Sequence, residues 1–189
     1  MKIRYIADMH YDNEDIIAYD NRPFGSAEEM NGVMTERWNR VCGEDDLIYI
    51  LGDFCGAGPD RWRSLLSGLT GRKFLITGNH DDGEAIRRMC EEHLLEGAAH
   101  YLEIRDGEQN VVLCHYPIVS FHDHYFGWRH LYGHVHTGFE WNMTEHQKRL
   151  MQDLYVRKDV CRMINAGAML PYMAYTPRTL EELEETGLL

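Results

Sequence analysis

Eight side chains in this sequence have the types and neighbours that chemistry needs: Asp8, His10, Asp53, Asn79, His80, His115, His134 and His136. They offer carboxylates, imidazoles and one amide oxygen, with no thiolate among them. Such a mixed oxygen and nitrogen donor set suits Mn, Fe, Zn, Ni or Mg and not a soft thiolate site. Asp8 and His10 are two residues apart, as are His134 and His136. On an extended chain each pair projects to one side and can grip one ion. Gly52, Gly78 and Gly133 immediately precede Asp53, Asn79 and His134, which predicts sharp turns or a close approach of side chains. Alone, any of these histidines reads as an ordinary core or surface residue, and an Asx beside Gly as a turn former. Neither reading explains why all eight fall where strands end.

Those strands are legible. Residues 2–7 read as a strand buried on both faces and run into Asp8. Residues 47–51 and 73–77 repeat the pattern and stop at Gly52-Asp53 and Gly78-Asn79-His80. Between them, Ser26-Ala27-Glu28-Glu29 opens a helix with Met30, Val33, Met34, Trp38 and Val41 on one face. Trp62, Leu65, Leu66 and Leu69 mark a short helix, and residues 84–95 a third. Alternating strands and helices predict a parallel sheet covered by helices. In such sheets ligand sites gather at the carboxyl ends of the strands. Residues 11–25 lack periodicity and read as a long loop. Beyond residue 99, short strands at 101–104, 111–114, 129–132 and 161–165 predict a more antiparallel second half. A polar helix is expected around 145–155, and Thr179-Leu180-Glu181-Glu182 opens a terminal one.

Composition narrows the function classes. With 189 residues, 44% hydrophobic and 26% charged, the chain reads as one globular domain over 1–189. Its formal charge of -12 disfavours broad binding to nucleic acid or to an anionic membrane. No apolar run approaches the ~18 residues of a membrane span. Asp8 and His10 fall where a signal peptide would need its apolar stretch, so the cytoplasm is the expected compartment. Five widely spaced cysteines without a C-x-x-C pair predict reduced thiols, not a disulfide frame or a structural zinc site.

The ordered set Asp8-x-His10, Gly52-Asp53, Gly78-Asn79-His80-Asp81, His115 and Gly133-His134-x-His136 resembles the calcineurin-like metallophosphoesterase superfamily, in its small bacterial-type form. The likeness runs from residue 8 to 136, and Asn165, Gly167 and the Thr-Pro-x-Thr-Leu-Glu-Glu-Leu tail are similar to the closing strand and last helix of small members. The resemblance implies an α/β fold, a four-layer α/β/β/α sandwich of two mixed sheets with the metal site at the carboxyl ends of the strands. It implies two divalent metal ions, manganese first, with Fe, Zn, Ni or Mg as the other choices. One would be held by Asp8, His10, Asp53 and His136, the other by Asp53, Asn79, His115 and His134, with Asp53 bridging. The implied reaction is hydrolysis of a phosphate ester, a phosphodiester ahead of a monoester, by a hydroxide shared between metals ~3.5–4 Å apart. His80 would stabilise or protonate the leaving oxygen. The expected partner is a small phosphoester or nucleotide-like substrate. Arg22 and Arg129 are candidate phosphate contacts or solvated surface charges, Arg22 reading more readily as the latter. His122 lies in the aromatic run 121–128, which reads as a substrate-binding loop or as packing. The rival reading is a metal-containing scaffold on the same fold, and the complete set of eight positions argues for catalysis.

Overall fold

A computed structural model describes residues 1–157 and 159–186. Its first half alternates strands and helices, with one helix and one strand beyond those the sequence predicts: β1 (Ile3–Ile6), α1 (Asp15–Tyr19), α2 (Ala27–Val41), β2 (Leu47–Ile50), α3 (Pro59–Gly68), β3 (Arg72–Ile76), α4 (Gly83–Glu91) and β4 (Gly97–Ala99). The second half comprises β5 (Tyr101–Asp106), β6 (Gln109–Cys114), β7 (Arg129–Tyr132), α5 (Phe139–Tyr155), β8 (Arg162–Asn165) and α6 (Leu180–Glu184). Strands β1 to β4 form one sheet in sequence order with every pair parallel, Ile6 level with Ile50 and Ile50 with Leu75. An antiparallel bridge from Tyr5 to Arg178 lies on its outer edge. Strands β5 to β8 form the second sheet, where β5 and β6 run antiparallel and the other two pairs parallel. That sheet is mixed as expected, yet less antiparallel than its short strands suggest, whereas the first, expected from the resemblance to be mixed too, pairs all its strands parallel. The long connection 115–128 and α5 serve as crossovers between parallel neighbours.

Side-chain alternation decides the layers. Val111, Leu113, Leu131 and Ile164 turn toward the first sheet and share its core with Ile6, Ile48 and Ile50. Val112, Tyr132 and Met163 turn the other way, into a smaller core with Phe121, closed by Trp141 and Met151 of α5. Met34 and Trp38 of α2, Trp62 of α3 and Met89 of α4 join the larger core. The layers are therefore helices, sheet, sheet, helix. Trp38 and Trp62 are fully buried, and their indole N–H groups donate to Thr70 O at 2.8 Å and Cys55 O at 3.1 Å. Truncating either to Ala costs about 3–5 kcal/mol in a core of this kind.

Three elements depart from the sequence reading, one of them the added strand β4. Helix α1 occupies part of the stretch expected to be a loop, because Asn13 Oδ1 accepts the Ile16 N–H at 3.2 Å and starts a turn that no periodicity announces. Helix α5 begins at Phe139, well ahead of Glu145. The capping signals hold. Ser26 Oγ accepts from Glu29 N at 3.1 Å, and the Thr179–Glu182 box closes in both directions. Backbone bonds bring the carboxyl ends of both sheets together: Ala7 N donates to Ala166 O at 2.8 Å, Asp8 N to Gly52 O at 3.1 Å, and Gly133 N to His115 O at 2.9 Å.

Candidate metal centre

Five strands, β1, β2, β3, β6 and β7, release the chain at that shared edge, each directly into one or two of the eight residues. The way the paired residues converge corrects the expectation from strand alternation. Asp8, His10, Asp53, His134 and His136 all have left-handed backbone, with φ between 43° and 71°. It is tight turns, not an extended chain, that aim these side chains inward. For a non-glycine residue such a conformation costs about 1–3 kcal/mol when strained, and it persists only where the surroundings impose it. The glycines supply the room. A Cβ on Gly52 would collide with the His115 ring, one on Gly78 with the Asp53 carboxylate, and one on Gly133 would lie 2.6 Å from Asp8 Oδ2.

Asp53 stands between two groups of donors. Its Oδ2 is 3.6 Å from His10 Nε2 and 3.5 Å from His115 Nε2. On one side, Asp8, His10 and His136 bring donor atoms within 4.8 Å of one another. On the other, Asn79 Oδ1 lies 3.0 Å from His115 Nε2 and 3.0 Å from His134 Nδ1. Asp8, Asp53 and His115 also form a group of that compactness. These donors are poised for a cation that their present neighbours do not replace. His10 Nε2 is buried with no hydrogen-bond partner, a loss that a metal bond removes. Burial pushes the His10 pKa down to about 3, so the imidazole is neutral and its lone pair available. Burial likewise pushes the Asp8 carboxyl up to about 7, against the favourable pull of His136 and the His134 N–H. A buried carboxylate of that kind gains most from a nearby cation. The donor set fits divalent ions.

A cavity of about 360 Å³ opens over these donors. His80, Asn79, His134 and Glu140 line it, and Ile16 and Tyr19 of α1 form a further wall. The exposed Tyr19 ring stands edge-on to His136 with centroids 5.6 Å apart. His80 is exposed, its N–H donating to Asp53 Oδ1 at 2.9 Å while its ring meets that of His10 edge-on at 5.5 Å.

Comparison with known proteins agrees with this geometry. A family model described as calcineurin-like phosphoesterase matches residues 1–172. The chain belongs to the calcineurin-like phosphoesterase family. It is 34% identical over 139 residues to an uncharacterized protein of Methanocaldococcus jannaschii, covering 72% of this chain and 70% of the relative. It is 26% identical over 172 residues to the Gene 66 protein of Mycobacterium phage L5, covering 77% and 83%. A protein of unknown function from Aquifex aeolicus shares the fold, with a TM-score of 0.70, 22% identity and 98% of each chain covered. As a member of this family the protein is a metal-dependent phosphoester hydrolase.

Behind the donors of this phosphoesterase stand residues that the sequence reading passed over. Asp20 Oδ1 accepts from His136 Nδ1 at 2.8 Å, which leaves Nε2 facing Asp8, in the carboxylate–histidine arrangement that orients metal ligands. Burial alone would raise the Asp20 pKa, but His136 and Arg22 more than offset it and hold the carboxylate low. For His136 the opposing effects also resolve in favour of charge: burial lowers its pKa, and the Asp20 hydrogen bond with the Asp8 charge raises it further than burial lowers it. His115 is held from behind too, its Nδ1 2.8 Å from Leu51 O. Asp81 gathers the N–H groups of Asp53, Phe54 and Gly78 at 3.0, 2.8 and 2.8 Å, and burial still pushes its pKa up to about 6. Asp81 belongs to the Gly-Asn-His-Asp string, so the signal was present; nothing local marks Asp20.

The three residues expected to touch substrate are not brought to the cavity. Arg22 is buried beneath it, its Nη1 and Nη2 donating to the Met9 and Asp8 carbonyls at 2.9 Å each, so it is neither a phosphate contact nor a solvated charge. Arg129 starts β7 and therefore sits at the amino end of the strands. Its Nε donates to Glu184 at 2.7 Å and its Nη1 to Gly127 O at 2.8 Å. His122 is exposed beside Glu103 of β5 at 2.9 Å, with its ring against Trp128 at 4.7 Å. The run 121–128 packs instead against the outer face of the second sheet, through Phe121 and Trp128.

Proposed function

We propose that this protein hydrolyses a small phosphodiester at a centre of two divalent ions, manganese in the first place. The observation that carries the reading is the position of Asp53 Oδ2, 3.6 Å from His10 Nε2 and 3.5 Å from His115 Nε2, as a bridging ligand must be. Asp8, His10, Asp53 and His136 would hold one ion, and Asp53, Asn79, His115 and His134 the other. When bound, the pair supplies a water made nucleophilic near neutral pH and neutralises the phosphoryl oxygens. The remaining work falls to this chain's own groups. Asp20 and the Leu51 carbonyl fix the rings of His136 and His115. Asp81 holds the two turns that carry Asp53 and Asn79 in register. His80, facing the cavity, gives a proton to the departing oxygen. That proton matters most for a poor alkoxide leaving group, which favours a diester over a monoester with an easily expelled group. A cavity of about 360 Å³ suits a small-molecule ester, nucleotide-like or smaller.

The test is the rate of manganese-loaded protein on a bis-aryl phosphodiester beside the matching aryl monoester, each with and without chelator. Chelator-sensitive turnover faster on the diester is the expected result. A faster monoester rate would replace the diester reading, and a complete metal load without turnover on either would favour a scaffold.

A further inference from the structure

Helix α5 carries a second apolar face that nothing among the described residues covers. Its inner face, with Thr144 and Lys148 buried, packs on the second sheet. On the opposite side Phe139, Met143, Leu150 and Leu154 are 77%, 48%, 49% and 68% exposed. On a helix of 3.6 residues per turn these four fall within one narrow stripe. Their spacing is symmetric: Phe139 and Leu154 are equidistant from the helix centre between His146 and Gln147, and so are Met143 and Leu150. A surface that is its own complement under reversal fits a two-fold partner, because in an antiparallel pair each residue meets its mirror position.

From this arrangement we infer that two copies of the chain dimerise through α5, packed antiparallel with Met143 of each against Leu150 of the other and Phe139 against Leu154. Charge supports a second copy over an anionic membrane. From 139 to 157 three acidic residues, Glu140, Glu145 and Asp153, balance Lys148, Arg149 and Arg157, whereas a helix that binds lipid headgroups carries a basic excess. Equivalent flanks meet across a two-fold axis, which sets Gln147 against its own copy and Asn142 near Asp153. Glu140 and Asp153, both acidic and at mirror positions, lie on opposite flanks of the stripe and stay apart.

Sedimentation equilibrium on the full chain tests the pairing. The mass should rise from one chain toward two with concentration. Leu150→Glu should raise the dissociation constant at least ~100-fold, since it sets a carboxylate against Met143 in both halves of the interface. The second variant, Met143→Glu combined with Leu150→Lys, sets opposite charges together in that register alone and should restore the dimer. Circular dichroism and phosphoesterase activity should be unchanged throughout. A mass of one chain at every concentration would overturn the proposal and leave the face to a different protein. A dimer that survives Leu150→Glu, or that the double variant does not restore, would overturn the antiparallel register.

Discussion

The two ends of the central strands treat buried charge in opposite ways. At the amino ends the buried charges of Asp46 and Arg129 are matched. Asp46 accepts from Arg4 Nε at 3.4 Å and from the Lys2 and Gly43 N–H groups at 2.7 and 3.1 Å, and Arg129 is held by Glu184. At the carboxyl ends His10 Nε2 has no partner, Asp8 is buried among imidazoles and backbone N–H groups, and five of the donor residues have left-handed backbone. The same sheets thus hold an edge where the charges of Asp46 and Arg129 are paired and one where His10 is not. Paired charges are what a fold needs for stability alone. Donors held rigidly without partners lower stability and are retained where a ligand completes them.

Substitutions at the two edges should therefore fail differently. Asp53→Ala removes the residue shared by both donor groups and should lower turnover by ~10³-fold or more, with less than the wild-type metal content by elemental analysis. An unchanged stoichiometry would show that Asp53 is not a ligand. His80→Ala should lower turnover by ~10²–10⁴-fold while metal content stays that of the wild type; full activity would remove it from the reaction. Asp20→Ala leaves His136 unsupported, and metal affinity measured by competition with a chelating dye should weaken by ~10–100-fold, with turnover recovered at high metal concentration. Arg129→Ala, at the amino-end edge, should reduce unfolding free energy in urea by about 2 kcal/mol through the lost charged hydrogen bonds, with kcat/KM unchanged. A fall in kcat/KM for the folded variant would return Arg129 to the substrate site.

The donors were legible in the sequence because their residue types are rare neighbours of Gly at strand ends, and because an alternating strand–helix pattern fixes which edge those ends share. The parallel first sheet followed from the same alternation. What could not be read is what only tertiary contact creates. Asp20 and Arg22 lie in an aperiodic stretch, and nothing local says that they fold under Asp8 and His136. The polar, turn-rich composition of 11–25 hid α1, whose Tyr19 walls the cavity. Arg129 stands out in the sequence as a cation, but a strand carries its first residue away from the edge its last one serves; His122 stands out through its aromatic run, which packs on the outer face of the second sheet. Alternation along an extended chain predicts that Asp8 with His10 and His134 with His136 would each grip one ion; left-handed turns replace that geometry, and they bring His136 to Asp8 and His10 but His134 to Asn79.

The central claim is that Asp53 is shared by two ions. Anomalous diffraction at the manganese edge, from crystals grown with excess manganese, tests it most directly. The account predicts two peaks ~3.5–4 Å apart with the Asp53 carboxylate between them. A single peak, or a pair with no common contact to Asp53, would contradict it.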